Sequence, residues 1–289
     1  MQKPKVDEEF LASVIPDYVQ KVGVFHGGFK DVYIVDTKGS RIAVKICLIN
    51  QEGYGRQEIS SLQKRLEREW KLLNKCKSNY IVRPGPVNGG IHLYNGQSLF
   101  VFSEEFIEYP SLRERLREGR LFSIKESLVF LKCMTSLVKH FTEMGIVHKD
   151  IKPDNIFSSC PPREFIVTDL GIARVAGETI LTPTGAFPHT RGYMAPEYFN
   201  EQTKKSINYR ADLFSIGIVC YELLTGTRPA EITQSQGAAN ISDYVAELPE
   251  SLSKIIMRLL EFQPHFRYNH LYQLEEELLK ADLDVNGGE

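Results

Sequence analysis

The chain has 289 residues, of which 42% are hydrophobic, and its formal net charge at pH 7 is -2. A chain of this length buries roughly three quarters of its unfolded surface, which is enough for one catalytic unit in one or two lobes. Its 35 basic and 37 acidic residues nearly balance. This balance gives no reason to expect nucleic acid or an anionic membrane as the main partner.

The cysteines and the termini bear on the cellular compartment. Five cysteines are widely separated, without the short paired spacing of zinc sites or disulfide frameworks: Cys47, Cys76, Cys133, Cys160 and Cys220. The N-terminus lacks an apolar signal core, and no run approaches the roughly 18 apolar residues needed to span a bilayer. We therefore expect a soluble cytoplasmic protein with reduced cysteines, no membrane partner, and loose tails over residues 1–12 and 282–289.

The first hundred residues predict a small antiparallel sheet with one helix. Leucines spaced among charged residues predict a helix with one buried face over Gln57–Asn74. Five β-rich stretches, most of them bounded by turns, predict strands: Tyr18–Phe25, Asp31–Asp36, Ser40–Ile49, Tyr80–Arg83 and Leu99–Phe102.

Three features of this region could carry chemistry. Gly27 and Gly28 would let backbone amides approach phosphate oxygens, although an ordinary glycine hairpin explains the same residues. Lys45 lies in an apolar strand, where its ammonium needs an anionic partner unless it reaches water from an edge strand. Glu69 in the following helix is a candidate partner. From the neighbouring sequence alone, Glu67 could equally be the partner of Lys45, and both glutamates could simply be exposed to water.

A polar loop between two short apolar stretches is the strongest candidate site. The stretches Ile146–Val147 and Ile156–Phe157 predict short buried strands. The loop between them carries Asp150, Lys152 and Asn155. The aspartate can accept a proton, the lysine can neutralise a transferring anion, and the asparagine offers a neutral oxygen to Mg²⁺.

The rest of the chain reads as mainly helical. Ile124–Glu143 has the spacing of a long core helix, and Leu213–Leu224 is apolar nearly all round, which predicts a helix buried at the centre of a domain. Between them Asp169 ends a short strand, and Ile172–Met194 forms a long segment of the kind that is usually functional or disordered. Further amphipathic helices are expected over Asp243–Asp282.

Taken in order, these features resemble the eukaryotic-type protein kinase family over about residues 18–282. The chain shows the motifs of that family in its order and at compatible spacings: Gly27-Gly28-Phe29 before Val32, Ile42-Ala43-Val44-Lys45, Glu69, His148-Lys149-Asp150 with Asn155, Asp169-Leu170-Gly171, Ala195-Pro196-Glu197, Asp212 to Gly217 and Arg267.

The resemblance implies an α+β, two-lobed fold. Its small lobe, at about residues 18–104, would hold a five-stranded antiparallel sheet and one main helix. A hinge at about 105–108 would lead to a larger, mainly helical lobe at about 109–282. An N-terminal extension over residues 1–17 and a C-terminal tail over 283–289 would flank this domain.

The resemblance also implies catalytic roles. Lys45 would bind the phosphates of ATP and be held in place by Glu69. Asp150 would accept the proton of a substrate hydroxyl, while Lys152 steadies the transferring phosphoryl group.

Metal and nucleotide contacts are implied in the same way. Asn155 and Asp169 would hold Mg²⁺. Glu104 would line the adenine pocket. The other nucleotide-binding positions that the resemblance implies are Val24, Gly27, Gly28, Val32, Ala43, Glu105 and Ile107. Two supporting roles are also implied. Glu197 and Arg267 would form a structural ion pair, and Asp212, which would open the buried helix, would brace the polar loop that carries Asp150.

The substrate class follows from two positions. Lys152, two residues after Asp150, and Thr190, three residues before Tyr193, resemble serine/threonine kinases rather than tyrosine kinases. The implied function is ATP-dependent transfer of the γ-phosphoryl group to serine and threonine hydroxyls of protein substrates, including the chain itself. Candidate autophosphorylation sites in the long segment are Thr179, Thr182 and Thr184.

Two departures from the family pattern affect nucleotide binding and regulation. Phe25 and Lys30 stand where the usual loop has its first and third glycines. One hypothesis is a stiffer loop that binds ATP weakly, and the other is that Lys30 adds a cation above the phosphates. Lys149 stands where many kinases have an arginine. A lysine can form an ion pair with a phosphate but not the bidentate contact that arginine makes. Control of activity by phosphorylation at Thr182 or Thr184 stays open and is favoured less than it would be with an arginine.

Two other classes of protein remain as alternatives. A pseudokinase acting as a binding module shares the fold but typically lacks Lys45, Asp150 or Asp169, and all three are present. A small-molecule phosphotransferase usually lacks the Ala195-Pro196-Glu197 motif and Arg267.

Overall fold

The computed structural model describes residues 3–27, 30–159, 163–170, 174–175, 191–200, 207–230, 232–233 and 235–287, with backbone alone at 174, 175 and 191. The chain divides into two compact units. The N-terminal unit comprises Met1–Lys77 and Val82–Glu108, and the C-terminal unit comprises Ser78–Ile81 and Tyr109–Glu289.

A five-stranded antiparallel sheet forms the body of the N-terminal unit, in the order β1-β2-β3-β5-β4. Apolar residues of its central strands, among them Val35, Val44 and Leu99, build a core that is closed to water. The strands are β1 Tyr18–His26, β2 Asp31–Thr37, β3 Arg41–Leu48, β4 Gly90–Tyr94 and β5 Gln97–Glu105.

One of the five predicted strands is wrong. Tyr80–Arg83 is not part of this sheet, and β4 takes its place. Within the predicted stretch, Ile81 makes only an isolated parallel bridge to Val167. In β4 the apolar residues Ile91 and Leu93 face outward, the latter 82% exposed, so their alternation with the polar residue between them does not indicate a buried face of the sheet.

A two-residue turn joins β4 to β5. Asn95 and Gly96 lie between the paired residues Tyr94 and Gln97, and both have positive φ, 47° and 74°. Two successive residues with φ > 0 match the twist of an antiparallel hairpin, and Asn-Gly is the dipeptide that favours this conformation.

The prediction of a loose N-terminal tail is also wrong. Helix α1, Glu8–Val14, is capped by the Asp7 carboxylate, which accepts the Phe10 N–H at 2.9 Å. Phe10 and Leu11 lie in the core of the sheet. Burial of each of these two side chains stabilises the ordered segment by roughly 1.5–3 kcal/mol relative to a solvated tail.

Helix α2, Arg56–Lys75, is the main helix of the N-terminal unit. The residues it buries are Leu62, Leu66, Glu69, Leu72 and Leu73, and Glu69 is the only charged one among them. The helix packs against β5.

The described part of the C-terminal unit is mainly helical. Its helices are α3 Leu112–Arg117, α4 Ile124–Glu143, α5 Tyr209–Thr225, α6 Glu250–Leu259 and α7 Leu271–Asn286. Two short antiparallel pairs complete it, β6 Ile146–Val147 with β9 Arg174–Val175, and β7 Ile156–Ser158 with β8 Phe165–Val167. The predicted loose tail from residue 282 is therefore largely helical, since α7 continues to Asn286.

Helix α5 begins earlier than predicted. Asn208 caps it by accepting the Arg210 N–H at 3.1 Å, so that Asp212 lies inside the first turn rather than opening the helix. All residues from Ala211 to Leu224 are buried. Gly226, at φ 79°, ends the helix in the left-handed conformation that glycine adopts without strain.

The four described cysteines are buried thiols: Cys47, Cys76, Cys133 and Cys220. Burial raises the pKa of Cys47 to about 12 and that of Cys76 and Cys133 to about 11, and it also raises the pKa of Cys220. Among the residues that the structure describes, no helix combines the length and the apolar character needed to cross a bilayer.

Candidate active site

The central loop of the C-terminal unit holds three of the predicted site residues together. It runs from β6 through a 3-10 turn, Pro153–Asn155, into β7. The Lys152 ammonium lies 2.9 and 2.8 Å from the two carboxylate oxygens of Asp150. The Asn155 amide nitrogen donates to the same carboxylate at 2.9 Å and to the Asp150 carbonyl at 3.0 Å.

The environment of Asp150 makes it a stronger base than an ordinary aspartate. The residue is only 9% exposed. Burial raises the pKa of its carboxyl to about 6, and the charge of Lys152 limits that rise. A carboxylate with this pKa is ionised at neutral pH and accepts a proton more readily than one in water.

Asp212 braces the loop from α5, as predicted. Its two carboxylate oxygens accept the backbone N–H groups of His148 and Lys149 at 2.8 and 2.9 Å. Burial raises the pKa of Asp212, and the nearby His148 and the two N–H donors oppose that rise. Lys149 has φ 70°, an unfavourable conformation for a lysine that these bonds help to hold.

Asp169 lies next to this loop within the C-terminal unit. The N–H of the preceding Thr168 donates to the Asn155 carbonyl at 2.8 Å. Asp169 itself has φ 62°, and its charge raises the pKa of Asp150. Lys149 and Asp169 thus both have a strained backbone, in two neighbouring loops, and such strain is typical of functional sites.

The side-chain oxygen atoms of Asn155 and Asp169 suit an Mg²⁺ ion that is also coordinated by the phosphates of a nucleotide. Among the described side chains, no group of three or more His, Cys, Asp or Glu could hold a metal by itself. Mg²⁺ is usually bound by one or two protein oxygens together with substrate phosphates and water, so two ligands are sufficient. Because the Asn155 amide nitrogen is a donor to Asp150, the amide oxygen is the atom that can face a cation.

In the N-terminal unit, Lys45 and Glu69 form the expected ion pair. Lys45 lies in β3 opposite Val32 of β2 and Phe102 of β5. Its ammonium is 3.6 Å from the Glu69 carboxylate. The alternative Glu67 instead accepts a hydrogen bond from Gln63 of its own helix at 2.8 Å.

Two further contacts of this ion pair were not predicted. Glu104, 4% exposed, lies 2.5 Å from the Lys45 ammonium. Lys30 forms an ion pair with Glu69, an arrangement that neither hypothesis about Lys30 anticipated. Burial raises the pKa of Glu104, and the charge of Lys45 opposes this rise.

The other predicted nucleotide-binding positions that the structure describes lie in strands of the same sheet or within two residues of a strand end. At Gly27 a Cβ would lie 2.6 Å from the Lys30 carbonyl oxygen, so only glycine fits this position without a shift of its neighbour. Glu105 ends β5, and its carboxylate accepts the Arg83 N–H at 2.8 Å. Half-buried side chains occur at three more positions: Val24 in β1, Ala43 in β3 and Ile107 after β5.

The predicted ion pair of Glu197 and Arg267 is confirmed. The guanidinium of Arg267, 0% exposed, contacts both oxygens of the Glu197 carboxylate at 2.8 and 2.9 Å. It also donates to the Arg210 carbonyl at 2.8 Å and lies 4.7 Å from the centroid of the Phe214 ring. Such bidentate contact fixes the two side chains relative to each other.

Several predicted positions lie outside the described residues. They are Gly28, Phe29, Gly171, Thr179, Thr182, Thr184 and Thr190.

Comparison with known proteins agrees with this geometry. The chain is 28% identical over 255 residues to the serine/threonine-protein kinase PknD of Mycobacterium tuberculosis. The matched region covers 84% of this chain and 36% of PknD. The chain is 29% identical over 188 residues to the serine/threonine-protein kinase PrkC of Bacillus subtilis, covering 61% of this chain and 28% of that one. The chain thus spans less than half the length of these relatives. A sequence model described as "Protein kinase domain" matches residues 18–280, and the chain belongs to this family.

Proposed function

We propose that the chain is an ATP-dependent serine/threonine protein kinase. The observation that carries the proposal is the central loop, in which Asp150 is buried, contacted by Lys152 and Asn155, and braced through the loop backbone by Asp212. A base held in this way, with a cation 2.8 Å away, suits proton removal from a hydroxyl beside a transferring phosphoryl group.

The reaction would proceed with Asp150 as the base. Its carboxylate takes the proton of a serine or threonine hydroxyl as the hydroxyl oxygen bonds to the γ-phosphorus, and the bond from that phosphorus to the β,γ-bridging oxygen breaks to leave ADP. Lys152 neutralises charge on the transferring group, and Lys45 binds the phosphates of ATP. Positioning of the reactants and neutralisation of charge account for most of the rate enhancement in such reactions.

Mg²⁺ would be held by Asn155 and Asp169. When bound, the ion neutralises phosphate charge and orients the nucleotide. The donor set supports this assignment, since an amide oxygen and a carboxylate are hard oxygen ligands.

Serine/threonine specificity rests on the position of Lys152 and agrees with the names of the relatives. Protein substrates, self-phosphorylation at Thr179, Thr182 or Thr184, and a cytoplasmic location without nucleic acid or membrane partners are parts of the same proposal. So are the domain boundaries of 18–282, with lobes of 18–104 and 109–282, a hinge at 105–108, and flanking segments over 1–17 and 283–289.

The test is transfer of labelled phosphate from ATP with Mg²⁺ to the chain itself and to generic acceptor proteins, beside an Asp150→Ala control. We expect label on serine and threonine for the wild type alone. Label mainly on tyrosine would overturn the specificity. A folded wild type that transfers no label would favour a catalytically weak, kinase-fold binding module, and transfer only to small hydroxyl compounds would favour a small-molecule phosphotransferase.

A further inference from the structure

Four charged side chains of the N-terminal unit meet away from water. They come from different elements, namely the segment before β2, α2, β3 and β5, and all are nearly closed to solvent. The buried charge cluster, as we call it, comprises Lys30, Glu69, Lys45 and Glu104, with side chains 15%, 2%, 7% and 5% exposed.

The contacts within the buried charge cluster are unequal. Lys45 lies 2.5 Å from Glu104 but 3.6 Å from Glu69. The same carboxylate oxygen of Glu69 that faces Lys45 is also the partner of Lys30. Glu69 is therefore shared between two cations, and Glu104 is the nearer anion of Lys45.

Strand register places Glu104 against Lys45. Lys45 is directly opposite Phe102, and Ala43 is directly opposite Glu104. Lys45 and Glu104 are thus diagonal neighbours on one face of the sheet, within reach for long side chains. The Lys45 ammonium also lies 5.5 Å from the centroid of the Phe102 ring, on the same face. The contact needs no displacement of the backbone.

Because water is largely excluded from this site, the contact between Glu104 and Lys45 should affect the binding of a phosphate to Lys45. Burial raises the pKa of Glu104, and Lys45 is the largest influence that opposes the rise. A nucleotide phosphate brought to Lys45 would place a second anion beside this carboxylate. Like charges at short range repel strongly where water is excluded. Glu104 and a phosphate therefore compete for one ammonium.

We propose that Glu104 is a positioning residue that holds Lys45 until nucleotide phosphates displace it, while Lys30 keeps Glu69 neutralised during the exchange. The inference rests on the proposed function, because it takes Lys45 as the phosphate-binding lysine. Glu104 then lowers the affinity for phosphate-bearing nucleotides without contributing to the affinity for a bare nucleoside.

The test is calorimetric titration of the full chain with two probes, β,γ-imido-ATP with Mg²⁺ and adenosine. Glu104→Gln keeps the size of the side chain and removes its charge. We expect the analogue to bind roughly tenfold tighter, which corresponds to about 1.4 kcal/mol, while the dissociation constant for adenosine changes less than about twofold. The matched control is Glu67→Gln, the same change on α2 outside the buried charge cluster, which should leave both constants unchanged.

Each remaining outcome counts against the inference. Unchanged or weaker binding of the analogue would overturn it, and equal tightening of both probes would assign Glu104 to the adenosine pocket instead. Thermal denaturation checks the fold of each variant. If Glu104→Gln does not fold, Glu104→Met removes the same charge with an unbranched apolar side chain, and the same outcomes apply.

The failure of this inference and that of the proposed function are distinguishable. If the wild type binds the analogue but transfers no phosphate, while Glu104→Gln tightens binding as expected, the inference stands and the kinase proposal fails. If the wild type transfers phosphate and Glu104→Gln changes nothing, the kinase proposal stands and the inference fails. If neither protein binds the analogue, the inference is overturned.

Discussion

The central loop and the buried charge cluster both keep ionised groups away from water, but they do so differently. In the loop, Asp150 is held by two neighbours along the chain, and the backbone itself is held by Asp212. In the buried charge cluster only side-chain ends meet, and Glu69 is shared between two lysines. We infer that the loop has one stable arrangement, whereas the buried charge cluster can exchange partners.

The largest expected effect comes from the base of the loop. Asp150→Asn keeps the size of the side chain but cannot accept the hydroxyl proton, so kcat should fall by about 10²- to 10⁴-fold. Labelled phosphate transfer measures this change, and the melting temperature should stay close to that of the wild type. The matched control is Asp154→Asn, an exposed residue of the same loop, which should retain activity. An Asp150→Asn variant with near-normal kcat would contradict the assignment of the base.

The next effect concerns the brace. Asp212→Asn leaves one carbonyl oxygen to accept two N–H donors, and losing a hydrogen bond to a charged group costs about 1.5–3 kcal/mol. We expect a lower free energy of unfolding in urea and a kcat reduced about tenfold or more, with a nearly unchanged Michaelis constant for ATP. Asp243→Asn, an exposed change in the same unit, is the control. A rise in the Michaelis constant alone would show that the loop is not what Asp212 holds.

A pH experiment tests how dry the face of the buried charge cluster is. Cys47 lies two residues after Lys45 on β3, and burial raises its pKa from 9.0 to about 12. The folded thiol keeps its proton where the unfolded thiol loses it, so this contribution to stability is complete below pH 9 and is lost as pH rises toward 12. Between pH 8 and 10 the wild type should lose about 1.4 kcal/mol more than Cys47→Ala in urea unfolding. Parallel losses in the two proteins would mean that water reaches this face.

The smallest effect is expected at the edge of the buried charge cluster. Lys30→Met removes one of the two cations that neutralise Glu69. Because Lys45 remains beside Glu69, and Lys30 is the most exposed member of the buried charge cluster at 15%, the loss in the free energy of unfolding should be about 1 kcal/mol. Lys30→Arg should restore most of the loss. The control is Lys38→Met, which removes a lysine that is 77% exposed and 4.0 Å from Asp17. If the two methionine variants have the same free energy of unfolding, the ion pair of Lys30 with Glu69 does not contribute to stability.

The same contrast explains what the sequence could predict. The loop was identifiable because its groups lie within six residues, Asp150 to Asn155, between two apolar pairs. The contact of Lys45 with Glu104 was not, because it depends on the register of two strands whose residues are 59 positions apart. No local pattern fixes that register.

Local patterns also pointed to two features that were missed, β4 and α1, and to one choice that was left open on local grounds, that of Glu69 over Glu67. The buried positions Leu62, Leu66, Glu69 and Leu73 follow the i, i+4, i+7, i+11 spacing of one helix face, which selects Glu69 over Glu67 without any resemblance. The Asn95-Gly96 dipeptide predicts the hairpin that creates β4. Asp7 before the apolar residues of α1 is a standard helix start.

The buried thiols have a practical consequence, because alkylating reagents react with exposed thiolates. Cys47 and Cys76 belong to the N-terminal unit, while Cys133 and Cys220 belong to the C-terminal unit. In a Cys160→Ser background, each unit therefore carries two natural reporters of its own opening, which iodoacetamide can label only when that unit unfolds. Peptide mapping along a labelling time course would then rank the two units by local stability without any introduced probe.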